Sequence, residues 1–331
     1  MAHYYMVVNS FGISSLLLPI PAPMVRRALG LAAGLVAALA LNLAGQAPKP
    51  RGSQKVSARI PILEYHLVRE KAAGQFVISR DQFRSDLQLL YDRGYRPITV
   101  AQLVARDLSD VPAGMSPVVF TFDDASPEQF SYLERNGHLE IDSNSVVGMW
   151  LAFQKSHPDW KSRATFCVLS GAASGHSFFG DGKDHLGQKR EWRFPKLRWL
   201  VENGFELCNH TLWHATLSDY SDAVVQEQIA RGQMAIDSAV PGYTVRTFAL
   251  PLGAWPKNRD LAWRGMWTDP ETGKSVSYGN RTVLDVSGGP VRNPFDPAFD
   301  PRRLTRYIVS RDNLKEFLDK LDAPGARFRR D

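Results

Sequence analysis

The chain has 331 residues, of which 44% are hydrophobic, 22% charged and 11% aromatic. This is the composition of a globular protein with enough apolar material for a sizeable core, and it excludes disordered, collagen-like and heptad-repeat proteins. The formal net charge of +6 is too small, in a chain of this length, to indicate a nucleic-acid partner. Two cysteines exclude a disulfide-rich scaffold and a four-thiolate metal site.

The first 46 residues differ in composition from the rest, because they contain no acidic residue and only two basic ones. A basic start followed by the apolar run 28–44 is the layout of a signal peptide or an N-terminal membrane anchor. Met24, just before this segment, is a candidate for the true start. We therefore expect an exported protein that is periplasmic, extracellular or anchored to the outer side of the inner membrane. The stretch 47–57 is typical of a linker.

From residue 58 onward, short β-branched apolar runs alternate with helix-like segments, which is the pattern of repeated β–α units. Seven strands are predicted, at 60–65, 118–122, 164–169, 205–208, 245–250, 282–286 and 306–309. Helices are predicted at 80–93, 140–156, 190–203, 221–239 and 311–320. The pattern predicts one α/β domain over 58–331, an irregular seven-stranded (β/α) barrel of the deformed TIM type. A doubly wound sheet is the competing fold, but no dinucleotide-binding glycine turn follows the first strand.

Polar residues follow several of the predicted strands, at the ends where the active sites of (β/α) barrels lie. Asp123 and Asp124 follow the second strand, and neighbours on an extended chain point to opposite sides. One carboxylate can therefore bind a cation while the other stays free as a base; the alternative is a helix N-cap beside a solvated neighbour. His210 and His214 follow the fourth strand, and in a helical turn this spacing places two metal-binding imidazoles on one face.

These motifs resemble those of the polysaccharide deacetylases of carbohydrate esterase family four. Similarity to the family's three motifs lies in Thr121-Phe122-Asp123-Asp124, in Asn209-His210-Thr211-Leu212-Trp213-His214 and in Phe248-Ala249-Leu250-Pro251-Leu252-Gly253. Lesser similarity begins at Ile60 and extends over about 60–320. The resemblance implies a (β/α) barrel that removes acetyl groups from N-acetylated polysaccharide, with O-acetylated polysaccharide as the alternative substrate.

The resemblance also implies roles for individual residues. Asp124, His210 and His214 would hold a divalent metal, most readily zinc, with cobalt or nickel as alternatives for the same nitrogen and oxygen ligands. Asp123 would be the general base that takes a proton from the attacking water. The resulting site, with two imidazoles and one carboxylate, leaves open positions for water and substrate, as catalytic metal sites do.

The third motif carries the expected oxyanion and substrate contacts. The backbone N–H of Leu252, where the family usually has tyrosine, would donate to the oxyanion, in a turn held by Pro251 and Gly253. Pro251 is also a predicted substrate contact. Trp213 and Trp255 flank the motifs and are candidates for stacking on a sugar ring.

Two of the departures from the family pattern concern the expected catalytic groups. The family often has an arginine in its third motif, where this chain has Ala249, with Arg246 nearby as a candidate substitute. Many members also carry a late histidine as general acid, and no histidine follows His214. His66 ends the first predicted strand and should lie at the same mouth of the barrel, so it is the candidate acid, with Glu64 as its partner. The alternative is a histidine hydrogen bonded within the strand-end network.

Two other functions stay open. A carbohydrate-binding pseudoenzyme is favoured by the two departures, while the retained diacid and histidine pair argue against it. A metal-dependent hydrolase of another C–N amide is the third option. Without residues 1–46, 38 basic and 34 acidic residues give a charge of about +4, which is compatible with an anionic polysaccharide and does not indicate nucleic acid.

The two cysteines, Cys167 and Cys208, fall on neighbouring predicted strands. We expect two buried free thiols, because free cysteine is among the most buried residue types. A disulfide is the alternative, which export would allow.

Overall fold

The computed structural model describes residues 58–172, 176–180, 186–286 and 288–331. The expected signal or anchor segment 1–46 and the linker 47–57 lie outside the described residues. Within the described ranges, no helix is long and apolar enough to cross a membrane.

The described chain alternates short strands with helices. In chain order the strands are β1 (Arg59–Ile60), β2 (Ile62–Tyr65), β3 (Leu67–Arg69), β4 (Val77–Ser79), β5 (Tyr95–Ile98), β6 (Ser116–Asp123), β7 (Tyr132–Arg135), β8 (His138–Ile141), β9 (Thr165–Val168), β10 (Glu206–Asn209), β11 (Thr247–Ala249), β12 (Arg264–Thr268), β13 (Ser275–Gly279), β14 (Thr282–Asp285), β15 (Val291–Arg292), β16 (Arg303–Thr305) and β17 (Tyr307–Ile308). The helices are α1 (Arg80–Asp92), α2 (Val100–Ala105), α3 (Val146–Ser156), α4 (Arg193–Glu202), α5 (Asp222–Ala239) and α6 (Asn313–Leu321).

Eight parallel strands form a nearly closed barrel. They follow one another in the order β16, β14, β11, β10, β9, β6, β2 and β17, and β5 pairs with β6 beside this path. The stretch 303–308 closes the ring, because β16 pairs with β14 on one side and β17 pairs with β2 on the other. Pairing between β10 and β11 is limited to Asn209 and Phe248, which makes the barrel irregular. The predicted (β/α) barrel is confirmed, and β16 is the strand added to the seven predicted ones.

Alternation along the strands separates an interior from an outer core. Small and medium apolar side chains fill the middle of the barrel, among them Ile62, Val119, Ala249, Leu284 and Leu304, all buried. Residues of opposite parity point outward, where Phe120, Phe122 and Phe166 pack with α3 and α4 side chains such as Trp150 and Leu197. Nearer to the carboxyl ends of the barrel strands, the side chains that point inward are polar. They form the floor of the site described below.

Local sequence signals explain where the helices begin. Ser79 and Ser145 cap α1 and α3 by accepting backbone N–H bonds from Gln82 and Gly148. Thr99 and Gln102 form a capping box at α2, a short helix that the sequence patterns did not predict.

The cysteine expectation was wrong. Cys167 on β9 and Cys208 on β10 are paired in register and joined by a disulfide. The sequence predicts that the two cysteines lie on neighbouring strands. It does not predict how β9 and β10 are aligned, and this alignment brings the two side chains together inside the barrel. The bond ties β9 to β10, the strand that leads into the histidine motif.

Candidate active site

A cavity of about 440 Å³ opens at the carboxyl ends of the barrel strands. Its titratable lining consists of Glu64, His66, Asp123, Asp124, His210 and His214. The rest of the lining is apolar and comprises Leu67, Phe76, Leu250, Leu252, Val286 and Ile308. Six of the nine site residues predicted from sequence therefore line one cavity. The other three, Pro251, Trp213 and Trp255, are not part of its lining.

The two adjacent aspartates reach this cavity by different backbone conformations. Asp123 ends β6 and points into the barrel, where its side chain is 2% exposed. Asp124 has a φ of 75°, in the left-handed region, so the alternation of the strand stops there and its carboxylate faces the mouth. Residues 124–125 form a turn, which excludes the helix N-cap alternative. The side chain of His176 donates to the carbonyl of Asp124 at 3.0 Å and supports the turn.

The histidine pair converges without a helical turn, so that part of the prediction was wrong. Residues 210–214 form an irregular loop, with left-handed backbone at Thr211 and His214. Asn209 shapes the loop, because its Oδ1 accepts from Thr211 N at 2.9 Å while its Nδ2 donates to the carbonyl of Ile229. The two imidazole centroids lie 4.9 Å apart.

Asp124, His210 and His214 form a donor set that fits a divalent metal. Asp124 Oδ1 lies 3.4 Å from Nε2 of each histidine, close to the ligand separation of a tetrahedral site with bonds of about 2.0–2.1 Å. This oxygen is buried and makes no hydrogen bond among the described residues. His210 Nδ1 donates to the carbonyl of Ala249 at 2.9 Å, which leaves the Nε2 lone pair free to bind a cation.

Arg306, between β16 and β17, holds the carboxylate of Asp123. Its Nη1 donates to Asp123 Oδ1 at 2.8 Å and to Thr121 Oγ1 at 3.1 Å, and its Nε donates to the carbonyl of Asp285. The arginine is completely buried. The candidate substitute Arg246 is exposed and precedes β11 at the opposite end of the barrel, so it cannot contact the diacid.

The charges around the diacid favour its ionised form. Burial opposes ionisation of Asp123, but the charges of Arg306 and His210 hold its pKa below the ordinary value. The pKa of Asp124 is also lowered, with burial opposed by the adjacent imidazole of His210. Burial and the neighbouring His210 lower the pKa of His214 to about 4, so this imidazole is neutral and able to bind a metal at neutral pH.

A second group of possible ligands lies beside the first. Glu64, His66 and Asp123 each offer a ligand atom within 4.8 Å of the others. Arg306 lies against two of them, with Nε 3.4 Å from Glu64 Oε2 and Nη1 on Asp123. The guanidinium already places a positive charge beside this group, so a second cation would be repelled.

The remaining predicted residues occupy distinct places. Leu252 has left-handed backbone, with φ 53° and ψ 16°, and a side chain on the rim of the cavity. Trp213 is 41% exposed beside His214. Trp255 is half-buried, donates from Nε1 to Asp285 and lies under the guanidinium groups of Arg259 and Arg303. Pro251 is buried.

Sequence reasoning missed Arg306 as a site residue. Its signal was a cation at the start of the last predicted strand, where a charged side chain must find a buried partner. Sequence alone could not identify Asp123 as this partner, because the two residues are 183 positions apart and meet only when the barrel closes.

Comparison with known proteins agrees with the motifs. Residues 155–264 match the family model described as polysaccharide deacetylase, a range that includes both histidines and the third motif and begins after the diacid. No curated protein matches this chain. Over that range the match confirms the resemblance to polysaccharide deacetylases.

Solved structures share the fold at low sequence identity. The deacetylase PplD of Streptococcus pyogenes, solved in complex with acetate, is 17% identical, with a TM-score of 0.55 over 81% of this chain and 100% of its own. BC0361, a polysaccharide deacetylase from Bacillus cereus, is 16% identical, with a TM-score of 0.52 over 79% and 68%. A de-N-acetylase from Aggregatibacter actinomycetemcomitans is 13% identical, with a TM-score of 0.53 over 79% and 99%.

Proposed function

We propose that this protein is a metal-dependent hydrolase that removes acetyl groups from N-acetylated polysaccharide. One observation carries the proposal: Asp124 Oδ1, which makes no hydrogen bond within the described part of the chain, faces two imidazole nitrogens, directly beside a carboxylate that Arg306 holds ionised. A cation-binding group and a free base on adjacent residues are what hydrolysis of an amide by water requires.

Each residue has a defined task in this reaction. A divalent metal held by Asp124, His210 and His214 would lower the pKa of water and polarise the acetyl carbonyl. Asp123 accepts a proton from the attacking water, and Arg306 keeps its carboxylate oriented and ionised until then. The Leu252 N–H is the proposed donor to the oxyanion, since the residue lies on the cavity rim.

His66 is the proposed donor of a proton to the leaving amine. It lines the cavity, and its Nε2 faces Glu64 Oε1 at 3.5 Å. Burial lowers its pKa, so the ring is neutral at rest and must receive a proton before it can give one. His66→Gln should lower turnover without changing metal content, and unchanged turnover would remove His66 from the mechanism.

The apolar lining gives one other function a specific basis. Half of the residues around the cavity are aliphatic or aromatic, and Phe76 and Leu252 are exposed there. Such walls also suit the apolar part of a non-glycan amide, so hydrolysis of another C–N amide is the second candidate. A pseudoenzyme is less well supported, because every residue of the diacid and histidine motifs is in place.

Acetate release from a panel of substrates tests the proposal. The full chain is assayed on N-acetylated glucosamine oligomers, peptidoglycan, O-acetylated xylan and small N-acyl amides, before and after chelation, with zinc, cobalt or nickel then restored. We expect release from the N-acetylated glycans that chelation stops and a metal restores. Release from the small amides alone would select the second candidate, and no release from any substrate with metal bound would reject both.

We also propose that the protein is exported. The Cys167–Cys208 disulfide supports this, because such bonds persist mainly in oxidising compartments. Cell fractionation and N-terminal sequencing test it. Recovery outside the cytoplasm is expected, and the first residue found will distinguish cleavage after the apolar run from retention as an anchor.

A further inference from the structure

Glu64 is a buried carboxyl group for which the reaction above has no task. It lies on β2 and is completely inaccessible to solvent. Neither carboxyl oxygen makes a well-aligned hydrogen bond among the described residues. Oε2 lies 3.4 Å from Arg306 Nε, and Oε1 lies 3.5 Å from His66 Nε2. Glu64 therefore stands between the arginine that holds the base and the imidazole at the mouth.

We propose that Glu64 is a positioning residue that holds the proton which His66 delivers to the leaving amine. This inference rests on the proposed function. The proposed function does not say where His66 obtains the proton that it gives to the leaving amine, and Glu64 is the source assigned here.

The steps balance in atoms and charge. One O–H bond of water breaks, its proton passes to Asp123, and the oxygen forms a bond to the acetyl carbon. Glu64 first passes its proton to His66 Nε2, and the C–N bond then breaks as the nitrogen keeps the bonding electron pair and takes that proton from His66. The products are acetic acid and the free amine. The proton on Asp123 returns to Glu64 before the next turnover.

The buried charges make this exchange favourable. At rest, ionised Asp123 neutralises Arg306, while Glu64 and His66 carry no charge. When Asp123 becomes protonated, Arg306 would be left as an uncompensated charge in a site of low dielectric constant, which is costly. Ionisation of Glu64, 3.4 Å from the guanidinium, restores neutrality at that moment.

The electrostatic surroundings agree with this assignment. Burial raises the pKa of Glu64 to about 8; the charges of Arg306 and His210 act against the shift, and those of Asp123 and Asp124 add to it. Burial also lowers the pKa of His66, against the pull of the two aspartates. Near neutral pH the carboxyl group therefore holds the proton and the imidazole is free to accept it.

A double-mutant cycle tests the coupling. Glu64→Gln keeps the size of the side chain but cannot release a proton, and Glu140→Gln on the exposed β7–β8 hairpin is the matched control. We expect Glu64→Gln to lower kcat about 100-fold with KM within twofold, and to cause no further loss in a His66→Gln background. An equal loss in both backgrounds, or unchanged kcat, would overturn the inference.

Nitrogen NMR of the His66 ring gives a readout that does not need turnover. In the full-length wild type, the ring signal should show a second inflection as Glu64 titrates, and Glu64→Gln should remove it. Identical titration curves would show that the two groups share no proton. If the wild type releases no acetate, this measurement still decides the coupling, so the two failures are distinguishable.

Discussion

At the scale of single residues, the base is held by an arginine from the far end of the chain. The family pattern places an arginine in the third motif, where this chain has Ala249. Arg306 reaches the same carboxylate from the last strand, because the closed barrel brings strands from both ends of the chain together. Asp123 requires only a guanidinium group at this place beside its carboxylate. The arginine can therefore come from a strand other than the one that carries the third motif.

Arg306→Gln should therefore impair both activity and stability. Loss of the guanidinium leaves the ionised Asp123 buried without a counter-charge, which costs about 3–5 kcal/mol of the free energy of unfolding. We expect kcat/KM to fall about 100-fold or more. Denaturant unfolding and acetate release measure the two effects. Arg302→Gln, an exposed change four positions away, is the control and should behave as the wild type. Wild-type stability and activity of Arg306→Gln would contradict the assignment.

At the scale of elements, most strands and helices of the barrel follow from local sequence, and the loops do not. The predicted helix 80–93 is α1 (Arg80–Asp92), and the predicted 221–239 is α5 (Asp222–Ala239). Their amphipathic spacing and caps are local signals. The loop 210–214 depends instead on left-handed backbone and on Asn209, which reaches the carbonyl of Ile229 in α5. Such tertiary bonds leave no periodic pattern in the sequence.

Helix α1 carries a buried acid whose titration should affect stability. Asp86 is 6% exposed and accepts a hydrogen bond from Tyr65; burial raises its pKa from 3.8 to about 7, against the effect of that bond. The folded state therefore binds a proton more tightly than the unfolded state. The resulting stabilisation is complete below about pH 4 and is lost as pH rises through 7.

Asp86→Asn removes this dependence. We expect the variant to gain stability relative to wild type as pH rises from 5 to 8, measured by denaturant unfolding at each pH. Asp92→Asn, an exposed change on the same helix, is the control. Its free energy of unfolding should differ from that of the wild type by the same amount at pH 5 and at pH 8. A constant difference for Asp86→Asn would show that its carboxyl group is not buried in its neutral form.

At the scale of the whole molecule, the pattern of β–α units predicts the barrel, while contacts across it depend on closure and register. The sequence placed six predicted residues in one cavity, because the carboxyl ends of parallel strands meet at one end of a barrel. It could not pair Arg306 with Asp123, nor Cys167 with Cys208. Those contacts depend on which strands become neighbours and on their exact alignment.

The disulfide should contribute to global stability. It closes a loop of 41 residues, which corresponds to about 4 kcal/mol in the chain-entropy model. Reduction should lower the midpoint of guanidinium unfolding, with thiol titration confirming that the bond is open. A variant with both cysteines changed to alanine should not respond to the reductant. An unchanged midpoint for the reduced wild type would show that the bond does not stabilise the fold.

The most direct test of the proposed mechanism compares acetate release by the wild type and by Asp123→Asn, both loaded with metal and assayed on the best N-acetylated glycan. Asparagine can still accept the hydrogen bond from Arg306, but it cannot take a proton from water. We predict equal metal content and a fall in kcat of about 1,000-fold or more. Wild-type turnover by Asp123→Asn would contradict the assignment of Asp123 as the base, and with it the proposed mechanism.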